Sequence, residues 1–232
     1  MAADDFNRGD GGLGANWTAA GVAAGFPQVI SGNKVIGDGS GFKTRTRYTG
    51  ASFSNDQFSE AQRVDAVTFN TSVFIVVRSE GVDGTESGFA WRHDINSSIS
   101  KTISISGGVE TDIETGLYAP GVTDYLRLEV TGSGSSVVLK GYADAFSPAT
   151  TLRFTSPPQV SVGSGGGYPG IGSGPDGSTF GWLDNWSGGD LGGGGGGALP
   201  FVTRLDAQRM RQQFARRLQR HGHDLRTLGM AA

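Results

Sequence analysis

The sequence predicts an all-β fold, an antiparallel sandwich or barrel, followed by a glycine-rich linker and one C-terminal α-helix. Short segments of strand character recur between turn residues, and no helical periodicity occurs before residue 200. The 40 glycines and the hydrophobic share of 36% support this prediction, because glycine disfavours helices and strands joined by turns tolerate it better. The roughly 190 residues before the linker suffice for one core that is stable without crosslinks.

The clearest strand candidate covers residues 67–77, which read VTFNTSVFIVV. It begins with alternation and ends apolar on both faces, as a central strand covered on both sides would. Residues 99–105 and 126–130 alternate apolar with polar positions, which predicts one buried and one solvated face. Shorter candidates cover residues 137–139 and 152–154. Turn sequences separate these segments: Gly32-Asn33, Asp38-Gly39, Gly107-Gly108, Gly132-Ser133-Gly134 and Asp176-Gly177.

Composition excludes several classes of protein. The chain has no cysteine, so it has neither disulfides nor thiolate metal sites. The opening residues, MAADDFNRGD, are acidic and lack an apolar segment, so we expect no secretory signal and synthesis in the cytoplasm. No apolar run approaches the roughly 20 residues that a membrane-spanning helix needs, and no membrane contact is expected.

Charge is distributed unevenly along the chain, although the net charge is only −3. From Arg204 to Arg226, seven arginines stand against two aspartates, a balance of +5. The rest of the chain carries 12 basic and 20 acidic residues, a balance of −8. An acidic body with a basic tail indicates an appendage that binds a partner.

The basic tail is predicted to be a helix on a flexible linker. Six consecutive glycines at residues 192–197 predict a linker at 191–200, between a domain at 1–190 and a tail at 201–232. Thr203 and Asp206 fit a capping box, and Gly222 fits the residue after a helix end.

This predicted helix is the candidate for anchoring the protein to a partner. Met210, Phe214 and Leu218 share one face. Arginines fill much of the remaining surface: Arg209, Arg211, Arg216 and Arg217. Because an isolated helix of this length is marginal in water, we expect it to dock in an acidic groove, to self-associate or to lie on its own sandwich. Nucleic acid is disfavoured as a partner, because no aromatic residues suited to base stacking are interleaved with the arginines.

Residues 4–17, DDFNRGDGGLGANW, resemble the DxFNRxDGxLGxNW start of concanavalin-like, laminin-G-like domains. Residues 88–92 (GFAWR) and 125–132 (YLRLEVTG) are similar to the middle strands of such domains, and residues 181–186 (GWLDNW) to the closing strand, which pairs near the first. The resemblance covers residues 4–190 and implies a jelly-roll sandwich. Such domains are frequent in bacteriophage minor tail and other virion proteins and in some bacterial surface proteins. The architecture hosts lectins, glycanases and structural modules alike.

The aromatic and polar residues of these motifs have a structural interpretation. We expect Asp5 and Asn7 to satisfy turn amides, and Trp17 to fill the core. Trp182 and Trp186 are the candidates for stacking on a sugar ring, although packing in the core or at its rim is favoured for both.

An acidic segment supplies the alternative function. Glu110, Asp112 and Glu114 resemble the E-x-D-x-E motif of retaining β-glucanases, which share this architecture. The resemblance implies a nucleophile, a tuning aspartate and an acid/base, in that order. Strand alternation is expected to place all three carboxylates on one face. Flanking glycines, and Thr111 in place of an aliphatic residue, favour instead an acidic, solvated strand edge, where Glu110→Gln would leave stability unchanged.

No metal or cofactor is predicted. Asp38, Asp83 and Asp176 stand beside or near loop glycines, where lectin-type sandwiches often hold calcium. No D-x-D-x-D-G pattern occurs, so these aspartates are interpreted as turn formers. His221 and His223 lack a third ligand for zinc.

These observations predict a non-enzymatic virion structural protein of a tailed bacteriophage, a minor tail or surface-decoration component. Its sandwich would face outward and bind host-surface glycans, and its helix would anchor it to capsid or tail proteins or build a homo-oligomer. The protein would be made in the host cytoplasm and end in the virion. The alternatives are a carbohydrate-active enzyme of the retaining β-glucanase kind and a bacterial surface-attached binding module, which the missing export signal disfavours.

Overall fold

The computed structural model describes residues 1–20, 28–37, 44–64, 71–82, 84–95, 97–163, 166–175 and 182–192. Within these ranges the regular secondary structure consists of β-strands, which confirms the all-β prediction. Residues Met1–Gly192 form one compact unit. The predicted linker from residue 193 onward and the predicted helix lie outside the described residues. In the described part of the chain, no helix is long and apolar enough to cross a membrane.

Sixteen strands are described. In chain order they are β1 (Ala2–Asp4), β2 (Gly11–Gly12), β3 (Trp17–Ala20), β4 (Gln28–Ser31), β5 (Lys34–Gly37), β6 (Thr44–Tyr48), β7 (Gln57–Arg63), β8 (Thr71–Glu80), β9 (Ser87–Asp94), β10 (Ile99–Ser106), β11 (Val109–Leu117), β12 (Tyr125–Thr131), β13 (Val138–Asp144), β14 (Leu152–Thr155), β15 (Tyr168–Pro175) and β16 (Leu183–Asp190).

The strands form two sheets in which the pairings are antiparallel. The seven-stranded sheet has the order β11-β10-β9-β8-β15-β6-β3. The nine-stranded sheet has the order β14-β13-β12-β7-β16-β5-β4-β2, with β1 added on β16. Consecutive strands such as β6, β7 and β8 alternate between the sheets, as the crossovers of a jelly-roll sandwich require. The first and last strands pair, with Asp4 opposite Trp186, as the family resemblance implies.

The main core lies between the two sheets and follows the predicted alternation. From the seven-stranded sheet, β8 contributes Val73, Ile75 and Val77. From the opposite sheet, β12 contributes the apolar positions of residues 126–130, all fully buried. Each such side chain stabilises the fold by about 1.5–3 kcal/mol when it leaves water.

A second apolar cluster lies on the other face of the seven-stranded sheet. It comprises Phe74, Val76, Ala90, Ile103 and Ile105, none of which has exposed surface. The central strand β8 is therefore covered on both faces, which confirms the prediction for residues 71–77; residues 67–70 of that candidate lie outside the described residues.

The opening motif folds around Asp4. Its carboxylate accepts hydrogen bonds from the Phe6 N–H at 2.9 Å, the Arg8 guanidinium at 2.6 Å and the Trp17 indole at 3.0 Å. Partial burial acts to raise the pKa of Asp4, but the hydrogen bonds from Arg8, Phe6 and Trp17 outweigh it and hold the pKa below its ordinary value.

The remaining expectations for the motif are met in part. Asp5 accepts a hydrogen bond from the Asn7 N–H at 3.2 Å, so Asp5 satisfies a turn amide as expected, whereas Asn7 acts there as a donor. Trp17 fills the core as expected, edge-on to Trp186 at 4.7 Å and to Tyr48 at 5.5 Å between ring centroids.

Candidate functional site

The seven-stranded sheet curves strongly, and one ion pair reveals it. Arg45 on β6 and Glu110 on β11 lie 2.5 Å apart, although five strand-to-strand steps separate them in the sheet order. In a flat sheet these steps would span about 24 Å. The sheet must therefore bend toward these two side chains. We call the surface that carries them, which faces away from the main core, the concave face.

A glycine allows Arg45 to cross this face. Gly172 on β15 is opposite both Arg45 on β6 and Phe74 on β8. A Cβ atom on Gly172 would lie 2.7 Å from Cγ of Arg45 and 3.1 Å from Cβ of Phe74. Because glycine leaves that space open, the Arg45 guanidinium reaches over the Phe74 ring, 5.4 Å from its centroid.

Five charged side chains form a continuous network on the concave face. Arg45 donates to Glu86 through NH2 at 2.6 Å and to Glu110 through NH1 at 2.5 Å. Arg92 donates to Glu110 at 3.2 Å and to Asp94 at 2.5 Å. The side chains of Arg45 and Glu86 are 0% exposed, whereas those of Glu110, Arg92 and Asp94 are between 9% and 19% exposed. We call this set the concave network.

Pairing with Glu86 and Glu110 stabilises the charge of the buried Arg45. Burial alone would lower the pKa of Arg45, but its hydrogen bonds and charge interactions with Glu86 and Glu110 outweigh burial and raise that pKa. Removing Arg45 would take away the ion-pair partner of the fully buried Glu86 carboxylate, which costs about 3–5 kcal/mol. The network therefore fixes the positions of its own side chains.

The concave face becomes accessible toward β10 and β11. Lys101 pairs with Asp112 at 3.0 Å, and the Asp112 side chain is 47% exposed. Ile99 is 46% exposed. In the register Lys101 is opposite Arg92 and Ile99 is opposite Asp94, so these side chains share one face. We call Arg92, Asp94, Ile99, Lys101 and Asp112 the concave rim.

The concave rim presents fixed hydrogen-bonding groups beside an apolar side chain. Its guanidinium and ammonium groups donate, its two carboxylates accept, and all four are held by ion pairs. Such a surface can bind a ligand rich in hydroxyl groups. In the described part of the chain, no cluster of three histidine, aspartate or glutamate residues could hold a metal ion. Asp38, Asp83 and Asp176 lie outside that part.

The predicted carboxylate triad does not lie on one face, so that expectation is wrong. Asp112 is opposite Ile103 on β10, whereas Glu114 is opposite Thr102, the adjacent residue. Adjacent strand residues point to opposite faces. A β-bulge at Ile113 inserts one residue and causes this change of face.

The bulge separates the carboxylates that a retaining glycosidase needs. Glu110 and Asp112 lie on the concave face, and Glu114 points toward the space between the sheets. A retaining pair requires carboxyl groups about 5–5.5 Å apart on one side of a substrate, which residues on opposite faces do not provide. The sequence also predicted an acidic, solvated strand edge here. This prediction is wrong for Glu110, whose side chain is only 14% exposed and is paired with two arginines. It is correct for Asp112, whose side chain is 47% exposed.

The two tryptophans proposed as sugar platforms differ in the structure. Trp186 is 1% exposed and donates its indole N–H to Ser59 Oγ at 2.9 Å. It therefore packs in the core, as the favoured interpretation expected, and its ring is not available to stack on a sugar. Trp182 is half-buried, and the Lys34 ammonium lies over its ring at 4.6 Å. Stacking of a sugar on Trp182 stays a prediction. The seven residues of the predicted anchor helix, from Arg209 to Leu218, lie outside the described residues.

No known protein family and no curated protein sequence matches the chain. Solved structures do. A carbohydrate-binding module, CBM66 from Bacillus subtilis, matches with a TM-score of 0.53 and 15% identity, over 75% of this chain and 96% of that one. The VIP36 exoplasmic/lumenal domain bound to Ca²⁺ and Man3GlcNAc matches with a TM-score of 0.52 and 10% identity, over 85% and 89%. A prokaryotic β-1,3-1,4-glucanase (lichenase) from a mouse hindgut metagenome matches with a TM-score of 0.54 and 10% identity, over 82% and 98%. With its two antiparallel sheets and jelly-roll connections, this chain has the concanavalin A-like lectin/glucanase fold.

Proposed function

We propose that this domain is a non-enzymatic carbohydrate-binding module and that its glycan lies on the concave rim. The observation that carries the proposal is the rim itself, where paired charged groups and one exposed aliphatic side chain stand on a curved, rigid sheet. The names of two proteins with this fold, a carbohydrate-binding module and a domain bound to Man3GlcNAc, support the proposal.

Ion pairing prepares the rim for sugar hydroxyls. Arg92 and Asp94 hold each other, as do Lys101 and Asp112, so little side-chain freedom remains to be lost on binding. Each group has hydrogen-bonding capacity beyond its ion pair. Ile99 offers an apolar surface to the C–H groups of a sugar ring.

The same contacts argue against catalysis. A retaining glycosidase needs one carboxylate free to attack and a second to transfer a proton across the same bond. Both oxygens of Glu110 accept hydrogen bonds from arginines, Glu86 has no exposed surface, and Glu114 belongs to the other face of the sheet. In this proposal the domain binds its glycan without cleaving it.

The wider role that we propose is structural, in the virion of a tailed bacteriophage. The opening motif at residues 4–17 resembles domains of minor tail and other virion proteins, and the arginine-rich segment after residue 200 suits an anchor. In this proposal the sandwich faces the host surface and binds its glycans. The arginine-rich C-terminal segment binds phage capsid proteins, phage tail proteins or a second copy of the chain.

A glycan array with the full chain, read in parallel for released reducing ends, tests the binding function. The variant Lys101→Gln/Asp112→Asn removes the exposed rim pair, and Lys140→Gln on the outer face of the opposite sheet is the matched control. We expect glycan binding without turnover, a loss of about tenfold in affinity for the rim variant and none for the control.

Other outcomes of this experiment contradict specific parts of the proposal. Hydrolysis of a glycan would make the protein an enzyme. Binding that survives the rim variant but is lost in Trp182→Ala would move the site to the opposite sheet. Absence of binding to any glycan would leave a purely architectural protein.

A further inference from the structure

A row of buried polar atoms in the seven-stranded sheet has no hydrogen-bond partner among the residues that the structure describes. Nε1 of Trp91, Oγ1 of Thr102 and Oε2 of Glu114 each lack a hydrogen bond. In the register Trp91 is opposite Thr102, and Thr102 is opposite Glu114, so one residue comes from each of β9, β10 and β11. Opposite residues have Cβ atoms about 5 Å apart, so Thr102 is a direct neighbour of both Trp91 and Glu114 and lies between them.

These side chains point away from the concave face. Trp91 belongs to the main core and packs edge-on against Phe154 of the opposite sheet, with 5.0 Å between ring centroids. Thr102 shares the face of Trp91, and the β-bulge at Ile113 turns Glu114 to the same face. The row is thus separate from the concave rim.

Burial makes the missing partners significant. Trp91 and Thr102 have no exposed surface, and Oε2 of Glu114 is buried although the residue as a whole is half-buried. Buried polar atoms in native proteins are almost always paired with protein or with ordered water. Three unpaired atoms in one row call for a common partner, and the partly exposed Glu114 marks the side from which one can enter.

The chemistry of the three atoms selects the partner. An indole N–H only donates, a carboxylate oxygen accepts, and a threonine hydroxyl does both. A cation would be opposed by the N–H group of Trp91, and an anion by the carboxylate of Glu114. A neutral hydroxyl oxygen fits all three, because it accepts from Trp91, donates to Glu114 and exchanges a hydrogen bond with Thr102. Three hydrogen bonds are the usual number for a buried water.

We propose that Trp91, Thr102 and Glu114 form a binding site for one neutral hydroxyl group. A buried water supplies this group, or a hydroxyl of a small polyol or saccharide that enters past Glu114 takes its place. The site lies between the sheets and holds whether or not the concave rim binds glycans.

Nuclear magnetic resonance on the full chain tests the site. The indole N–H signal of Trp91 is assigned as the one lost in Trp91→Phe, and its cross-relaxation with water is measured. Thr102→Val removes one of the three bonding groups at nearly constant shape. Thr111→Val, at an exposed position of β11, is the matched control for the change in strand propensity.

We expect a contact between the Trp91 indole N–H and a slowly exchanging water in the wild type and in Thr111→Val. In Thr102→Val the contact is lost and the melting temperature falls by several degrees, roughly 2–6 °C. Should Thr102→Val not fold, Glu114→Ala removes the acceptor from the partly exposed side and gives the same readout.

Glycerol, used as a polyol probe, distinguishes the two sources of the hydroxyl. Loss of the water contact together with a shift of the Trp91 indole signal on adding glycerol assigns the site to ligand hydroxyls. An unchanged water contact in glycerol assigns it to a resident water. The proposal is overturned if the Trp91 N–H of the wild type shows no contact with water or glycerol, or if Thr102→Val leaves both the contact and the melting temperature unchanged.

Discussion

Arg45 shows how individual neighbouring residues allow a charged side chain to be buried on the concave face. Its side chain has no exposed surface, and a guanidinium moved from water into the protein interior loses several kcal/mol of hydration free energy. Glu86 and Glu110 offset this cost with charge-assisted hydrogen bonds, and the Phe74 ring lies beneath the cation. Gly172 is the fourth requirement, because only a residue without a side chain leaves the path open.

Gly172→Ala tests that requirement. The new Cβ atom would meet Cγ of Arg45 at 2.7 Å and the Thr44 carbonyl oxygen at 2.8 Å, so the arginine or the strand has to shift. We expect the free energy of unfolding to fall by about 1–3 kcal/mol. Gly12→Ala is the control, because no atom lies within 4 Å of the Cβ atom built there. Equal urea midpoints for the two variants would contradict the crowding argument.

His93, unlike Arg45, is a buried residue whose surroundings oppose its charge. It is buried, with Nε2 3.3 Å from the Arg63 guanidinium and Nδ1 2.9 Å from Ser100 Oγ. Burial, and then the positive charge of Arg63, lower the pKa of His93 to about 4, while Asp94 opposes the shift only partly. The folded protein therefore holds a neutral imidazole.

This neutral histidine makes stability depend on pH. Above pH 6.5 neither the folded nor the unfolded state protonates His93, and its contribution to stability is complete. Between pH 6.5 and about 4 only the unfolded state takes up the proton, so stability is lost as pH falls, by at most about 3 kcal/mol. Urea unfolding of the wild type and of His93→Gln at pH 7.5 and pH 4.5 isolates this effect from the carboxylates, which both proteins share. A constant difference between the two proteins across this range would contradict it.

At the scale of elements, the bulge in β11 decides what its carboxylates do. Alternation of residues 110–114 predicts a shared face, and the inserted Ile113 divides them between the two sides of the sheet. Glu110 becomes part of the concave network and Asp112 stays at the exposed rim. Glycines on both sides of the segment give no sign of the bulge, since they are equally compatible with a regular hairpin.

Glu110→Gln and Asp112→Asn distinguish these two environments. A glutamine at 110 removes the negative charge that two buried arginines share, and we expect the free energy of unfolding to fall by about 1–3 kcal/mol. Asn at 112 removes only an exposed ion pair, worth about 0–1 kcal/mol. This replaces the expectation that Glu110→Gln is neutral. Equal unfolding midpoints for the two variants would restore the solvated-edge interpretation.

Local pattern predicted the strands that carry alternating apolar residues and missed those that do not. Strands β8, β10 and β12 follow from periodicity because one face of each enters the main core. Strand β15, YPGIGSGP, has four small or glycine positions that give no period, and its place between β8 and β6 follows from pairing with distant residues. The concave network escaped prediction for the same reason, because Arg45 lies 41 residues from Glu86 and 65 from Glu110.

At the scale of the whole molecule, charge divides between a compact unit and a basic C-terminal segment. The compact unit Met1–Gly192 contains both sheets, both apolar clusters and the concave network. The positive balance of +5 falls in the segment from Arg204 to Arg226, beyond that unit. This separation suits a module that binds with one part and is anchored by another.

Ending the chain at residue 198 tests the anchor. Because the sandwich is compact by itself, we expect the fragment to keep the melting temperature of the full chain and to be monomeric in light scattering. The full chain should form a larger species, and Phe214→Asp should abolish it by placing a charge on the predicted apolar stripe. Arg217→Gln controls for charge, since it should weaken binding to an acidic groove while leaving self-association through Met210, Phe214 and Leu218 intact. If light scattering gives the same number of protomers for the full chain and the fragment, the tail does not mediate self-association. The arginine-rich tail would then bind a partner of a different kind.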